Sequence, residues 1–146
     1  VKRSIDTLII HHSASDIEAH DNIEVIEKWH IKERGFKYVG YHFYINKKGL
    51  VSIGRRVMVQ GAHCKGYNKT SIGICCGGAS GITPQQRESL AKLCLNLVDT
   101  FEIKRDKVFL HKDLAATECP SFDIEWLKFK LFKGRKNGRE IRGKRN

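Results

Sequence analysis

DTLIIHH, residues 6–12, is the stretch on which the fold turns. Leu8, Ile9 and Ile10 form a short unbroken apolar run that stops abruptly at His11 and His12. A run of this length reads as a buried strand. Working outward, DNIEVIEKWHIKERG (21–35) predicts a helix. Asp21 is the expected cap, with Glu24 completing a capping box. Ile23, Ile26 and His30 share one face, and Gly35 supplies the stop. YHFYI (41–45) and LVSIG (50–54) flank NKKG, the signal of a hairpin. TSIGICCGG (70–78) is another apolar strand running into glycines.

The second half continues the mixture. ITPQQRESLAKLCLNLVDTF (82–101) carries the strongest helix pattern, with Thr83 as cap, Pro84 at the first helical position and Gln86 closing the box. Leu90, Leu93, Cys94, Leu97, Val98 and Phe101 follow the three-and-four spacing of one buried face. VFLHKD (108–113) predicts a last strand and FDIEWLKFKLF (122–132) a last helix. Strands and helices intermix, so the expected class is α/β: a single domain with a central mixed sheet of about five strands flanked by about three helices. The expected domain spans residues 1–132, followed by a basic tail at 133–146. No internal repeat or interdomain linker is visible.

The chain has 146 residues, of which 40% are hydrophobic and 29% charged, so it can bury a core as an ordinary globular domain does. No apolar run is long enough to span a membrane. The formal net charge is +11, and nine basic residues against one acid lie between Lys128 and Asn146. That tail would attract a polyanion such as nucleic acid, anionic lipid or an anionic cell-wall polymer. Its last dozen positions lack interleaved aromatics, which argues against a stacking nucleic-acid module. The five cysteines, 64, 75, 76, 94 and 119, form no CxxC pair and read mainly as reduced thiols. Cys75 and Cys76 point to opposite faces of a strand, and Cys94 falls on a helix's apolar face.

Chemistry gathers at two strand ends. LIIHH closes with His11 and His12, and VFLH closes with His111. Eight residues beyond His111, the loop HKDLAATECPSFD (111–123) returns Cys119 ahead of Pro120. Two imidazoles and a thiolate make a three-ligand zinc site with an open fourth position, the pattern of a catalytic zinc. Such an ion lowers the pKa of a bound water to about 7. Spacing alone does not choose between His11 and His12, and seven histidines with five cysteines allow other triples. Gly73 and Gly78 read as sites of close packing, since no phosphate-loop pattern surrounds them.

Five segments, in order, resemble the zinc-dependent N-acetylmuramoyl-L-alanine amidases of the phage-lysozyme and peptidoglycan-recognition-protein superfamily. They are IIHHSAS (9–15), GFKYVGYHFYI (35–45), GLVSIGR (49–55), GAHCKGYNKTSIGI (61–74) and HKDLAATECPSFD (111–123). The resemblance covers the chain to about residue 127 and implies that fold, with one zinc ion (Zn2+) per chain on His11, His111 and Cys119. It implies that Tyr41 acts at the catalytic site and that His63 and Asn68 contact the muropeptide. Phage members carry a lysine two residues before the cysteine. This chain has Thr117 there, as catalytic peptidoglycan-recognition proteins do. Arg55 matches a family position but reads equally as part of a scaffold ion pair, and His12, His20, His30 and His42 match no functional role.

The implied reaction is hydrolysis of the amide between N-acetylmuramic acid and L-alanine in peptidoglycan. Tyr41 and Thr117 would bond the water or the oxyanion, and Tyr41, His63 or water would pass the proton to the amine. The alternative is a non-catalytic peptidoglycan recogniser, a role that typically accompanies loss of the zinc cysteine retained here. The expected partner is bacterial peptidoglycan or muropeptide, met by a monomer, with the tail on an anionic polymer or membrane surface and no nucleic-acid role. No signal peptide is visible in VKRSIDTLII, so synthesis in the cytoplasm and action on the cell wall are expected. Since the chain begins with Val, export of a trimmed form stays open.

Overall fold

Strand β1 (Thr7–His12) lies inside the sheet, paired in parallel with β4 (Ser71–Cys76) on one side and β5 (Val108–Leu110) on the other. β2 (Phe43–Ile45) extends the sheet parallel to β4, and β3 (Val51–Ile53) closes the edge antiparallel to β2. The order β3-β2-β4-β1-β5 is the mixed five-stranded sheet expected of a single α/β domain. The computed structural model describes residues 2–136 and 139–140.

The two-residue period of the strands divides the molecule. Leu8 and Ile10 of β1, Ile72, Ile74 and Cys76 of β4, and Ile45 of β2 face one side. There they meet α2 (Pro84–Phe101) and α4 (Glu125–Phe132) through Leu90, Cys94, Leu97, Val98, Leu127 and Leu131. Tyr44 and Cys75 face the other side and pack under α1 (Ile23–Arg34) with Ile26 and Val39. Cys75 and Cys76 therefore serve opposite faces, Cys94 is core, and all five cysteines are free thiols.

α2 forms where its local signals say. Thr83 Oγ1 accepts from Gln86 N at 3.1 Å, and Gln86 Oε1 accepts from Thr83 N at 3.0 Å. Gln86, fully buried, also donates through Nε2 to Ile45 O (3.2 Å) and Gly77 O (2.8 Å), tying the ends of β2 and β4 to the helix.

α1 departs from expectation at its start. The cap is Asn22, whose Oδ1 accepts from Val25 N at 2.9 Å, which puts Glu24 at the second helical position, outside the capping-box place. Asp21 turns to the sheet, accepting from Tyr44 Oη (2.6 Å) and Lys47 N (2.8 Å). A buried phenol needs a partner, and that need outweighs a cap that Asn22 can supply. At the other end Gly35 adopts φ 69° and stops the helix as expected.

VFLHKD is also corrected. The strand ends at Leu110, and His111–Leu114 forms a single helical turn, α3, begun where Asp113 Oδ2 accepts from Leu110 N at 2.9 Å. The three longer helices are those expected, and α3 adds a fourth. Within the anticipated tail, β6 (Arg135–Lys136) and β7 (Arg139–Glu140) pair antiparallel. Residues 137–138 and 141–146 of that tail lie outside the described residues.

Candidate metal centre and substrate cleft

Three elements deliver one side chain each. β1 ends in His11, α3 opens on His111 directly after β5, and the loop after α3 brings back Cys119. The loop is held at both sides of the cysteine. Lys112 N donates to Cys119 O at 2.8 Å, and His12 N donates to Cys119 Sγ at 3.2 Å. One ligand atom from each of His11, His111 and Cys119 lies within 4.8 Å of the others. His12 has a different task. Its Nδ1 accepts from Ser121 N at 3.3 Å and pins the chain after the cis Cys119–Pro120 bond.

The donor set fits a zinc ion on the evidence of its own unsatisfied atoms. His111 Nδ1 is buried without a hydrogen-bond partner, a rare condition for a ring nitrogen. His11 Nε2 is engaged by His63 Nδ1 at 2.8 Å, which leaves Nδ1 for the centre. His63 Nε2 in turn lies 3.2 Å from Ser71 Oγ. With Nδ1 of His11 turned to a metal, its Nε2–H donates to His63 and His63 Nε2–H donates to Ser71. This backing arrangement fixes tautomer and ring orientation in metal sites. Burial, then the neighbouring histidines, hold His11 well below the ordinary imidazole range. Burial also lowers His111, and it is the main reason that His63 falls to about 3. All three rings are neutral at neutral pH, the form a metal requires. Burial pushes the Cys119 thiol up, so a cation is needed to hold it as thiolate.

His63 owes its place to a missing side chain. A Cβ on Gly73 of β4 would fall 2.6–2.7 Å from the His63 ring. The peptide of the same glycine is held from the other side, with Gly73 N donating to His42 Nδ1 at 3.0 Å. The close-packing role expected of Gly73 is thus realised beside the centre.

Above the centre opens a cleft of about 570 Å³. One wall is the α1 face Ile26, Trp29, His30, Glu33 and Arg34, and the other includes His12, Ser13, Thr117 and Glu118. Tyr41 lies between them, its ring 4.9 Å from that of His11 and 5.3 Å from that of His30. Burial, with nearby thiols, raises the Tyr41 phenol well above its ordinary value, so it stays protonated. Thr117 Oγ1 accepts from Cys119 N at 3.2 Å, leaving the hydroxyl proton free to donate.

The two residues expected on the substrate side sit differently. His63 lines the cleft, but it is 7% exposed and both ring nitrogens are engaged, one by His11 and the other by Ser71. Asn68 is not among the lining residues. Its Oδ1 accepts from His63 N (2.8 Å) and Cys64 N (2.9 Å) and so shapes the loop that carries His63. Arg55 belongs to the scaffold, donating to Val39 O (2.8 Å) and Gln60 O (2.9 Å). The sequence reading missed the α1 wall and the Ser71–His63–His11 chain. The lone glycine within the β4 run was the available signal for the chain.

These observations agree with comparison to known proteins. Residues 1–122 match the family model described as N-acetylmuramoyl-L-alanine amidase. The endolysin of Escherichia phage T7 is 36% identical over 140 residues, covering 89% of this chain and 91% of the relative. Among solved structures, the N-acetylmuramoyl-L-alanine amidase LysC from Clostridium intestinale URNW superposes with a TM-score of 0.81 at 34% identity, covering 88% of this chain and 86% of that one. Wild-type Drosophila PGRP-LB superposes at 0.69 with 28% identity, covering 82% and 76%. By sequence and by fold, the chain belongs to the N-acetylmuramoyl-L-alanine amidase family.

Proposed function

We propose that His11, His111 and Cys119 hold one zinc ion and that the cleft above them cleaves the amide joining N-acetylmuramic acid to L-alanine. The chain is a peptidoglycan amidase by family, and the metal and the residue roles are our reading of the site. One observation carries that reading. Three ligand atoms converge within 4.8 Å, and one of their rings leaves Nδ1 buried and unpartnered. A mutant of Drosophila PGRP-LB solved with tracheal cytotoxin (26% identity, TM-score 0.70) supports a muropeptide as occupant of the cleft.

An unstrained amide needs an activated water, stabilisation of a tetrahedral oxyanion and a proton for the departing amine. When bound, zinc lowers the pKa of a water to about 7 and polarises a carbonyl. The chain's own groups do the rest. Tyr41, kept protonated by burial, donates to the developing oxyanion. Thr117, on the cleft lining, has a hydroxyl able to donate while its oxygen steadies the Cys119 backbone. The Ser71–His63 pair holds the His11 ring in orientation.

Cys119→Ser should abolish both zinc content and cleavage of soluble muropeptide. Thr117→Ala should keep the metal and lose about a hundredfold to a thousandfold in rate, the scale for one oxyanion donor. Metal analysis and mass spectrometry of the digest read the two effects separately. Wild-type zinc and wild-type cleavage in Cys119→Ser would remove the ligand assignment.

A further inference from the structure

The α1 wall carries a charge that the chemistry described so far does not use. Ile26, Trp29, His30, Glu33 and Arg34 line the cleft at the spacing of one helical face, and Arg34 is the helix's last residue. It is the one lysine or arginine among the lining residues. Among the described residues its side chain makes no ion pair and no hydrogen bond, although Glu33 and Glu118 line the same cleft. Arg55, by contrast, has its guanidinium bound to two carbonyls. An arginine whose donors are unused on the wall of a cleft is equipped to take an anion.

Its position relates it to the reacting atoms. His30, one helical turn earlier, packs on Tyr41, and Tyr41 packs on His11. Arg34 therefore stands about one turn, roughly 5 Å, farther along the wall. Its charge is felt at His11, His111, His30 and Tyr41. In peptidoglycan the residue after L-alanine is a glutamate joined through its side chain, so its α-carboxylate is free. An extended peptide advances about 3.5 Å per residue. That carboxylate thus lies one to two residues from the scissile amide, on the scale of the offset between His30 and Arg34.

We infer that Arg34 recognises the free α-carboxylate of the second stem-peptide residue and makes the enzyme prefer the acid over the carboxamide form at that position. The inference rests on the amidase reading but adds a specificity that the metal centre does not supply. Arg34 is a binding residue and takes no part in bond breaking.

The test uses the full chain and two soluble muropeptides that differ only in acid or amide at the second residue. The wild type should show kcat/KM about tenfold higher on the acid, expressed in KM, as fits one charge-assisted contact at an open site. Arg34→Gln should bring kcat/KM on the acid down to about its value on the amide, while Arg34→Lys keeps part of the difference. An acid preference that survives in Arg34→Gln, or an equal fall in kcat on both substrates, overturns the inference. Should the wild type cleave neither substrate, the amidase reading fails instead. Calorimetric binding of the two muropeptides to wild type and Arg34→Gln then decides Arg34 by the same acid-over-amide difference.

Discussion

Single residues set the geometry of this centre from beneath. Gly73 leaves the space that the His63 ring fills, and His63 holds His11. The ring has nowhere to retreat, since one nitrogen meets His11 and the other Ser71. Gly73→Ala should therefore act as an overpacking mutation, destabilising the fold by about 1–3 kcal/mol. It should also weaken metal binding by displacing His63 from His11. Denaturant unfolding and competition with a chelator measure the two effects. Wild-type values in both would show that the ring has another place to go. This part of the site is the least readable from sequence. Spacing offered His11 and His12 equally and the resemblance pointed to His11; in the fold His11 joins the cluster with His111 and Cys119, while His12 meets Ser121.

At the scale of elements, sequence reading succeeded where interactions are local. The cap, the first-turn proline and the apolar stripe of α2 all lie within its own residues, and each appears as expected. It failed where a distant partner decided the outcome. Asp21 leaves the start of α1 for Tyr44 and Lys47, which are 23 and 26 residues away. The strand expected through Asp113 stops at Leu110 because the Asp113 carboxylate takes the Leu110 amide and starts a helical turn. That turn places His111 on the centre. Gln86 joins the two classes. It closes the helix box and, less predictably, donates to two buried carbonyls. Gln86→Ala leaves those carbonyls without this donor and should destabilise by about 2–3 kcal/mol. Thr83→Ala, which removes a cap, should cost about 1 kcal/mol. Urea midpoints compare the two, and an effect of Gln86→Ala no larger than that of Thr83→Ala would contradict the carbonyl role.

For the whole molecule, buried neutral histidines tie stability to pH. His30 accepts from Gly40 N through Nδ1, and burial together with Arg34 and Arg55 lowers it to about 4. His42 accepts from Gly73 N, and burial is the main reason that it too sits at about 4. In the unfolded chain each titrates near 6.5. Between these values the unfolded state binds more protons, so stability is complete above about 6.5 and falls as pH drops toward about 4. Each histidine contributes up to about 1.4 kcal/mol per pH unit across that window. Denaturant unfolding from neutral to mildly acid pH should show the decline, and His30→Gln should flatten it. A pH-independent midpoint would contradict the buried neutral assignment.

The central claim is that this sheet edge works as a zinc-bound amidase site, and digestion of soluble muropeptide before and after metal removal tests it most directly. The account predicts free N-terminal L-alanine on the released stem peptides, loss of that product after chelation, and its recovery when zinc is added back to the folded, metal-free protein. Undiminished release of that product by protein shown to be free of metal would contradict it.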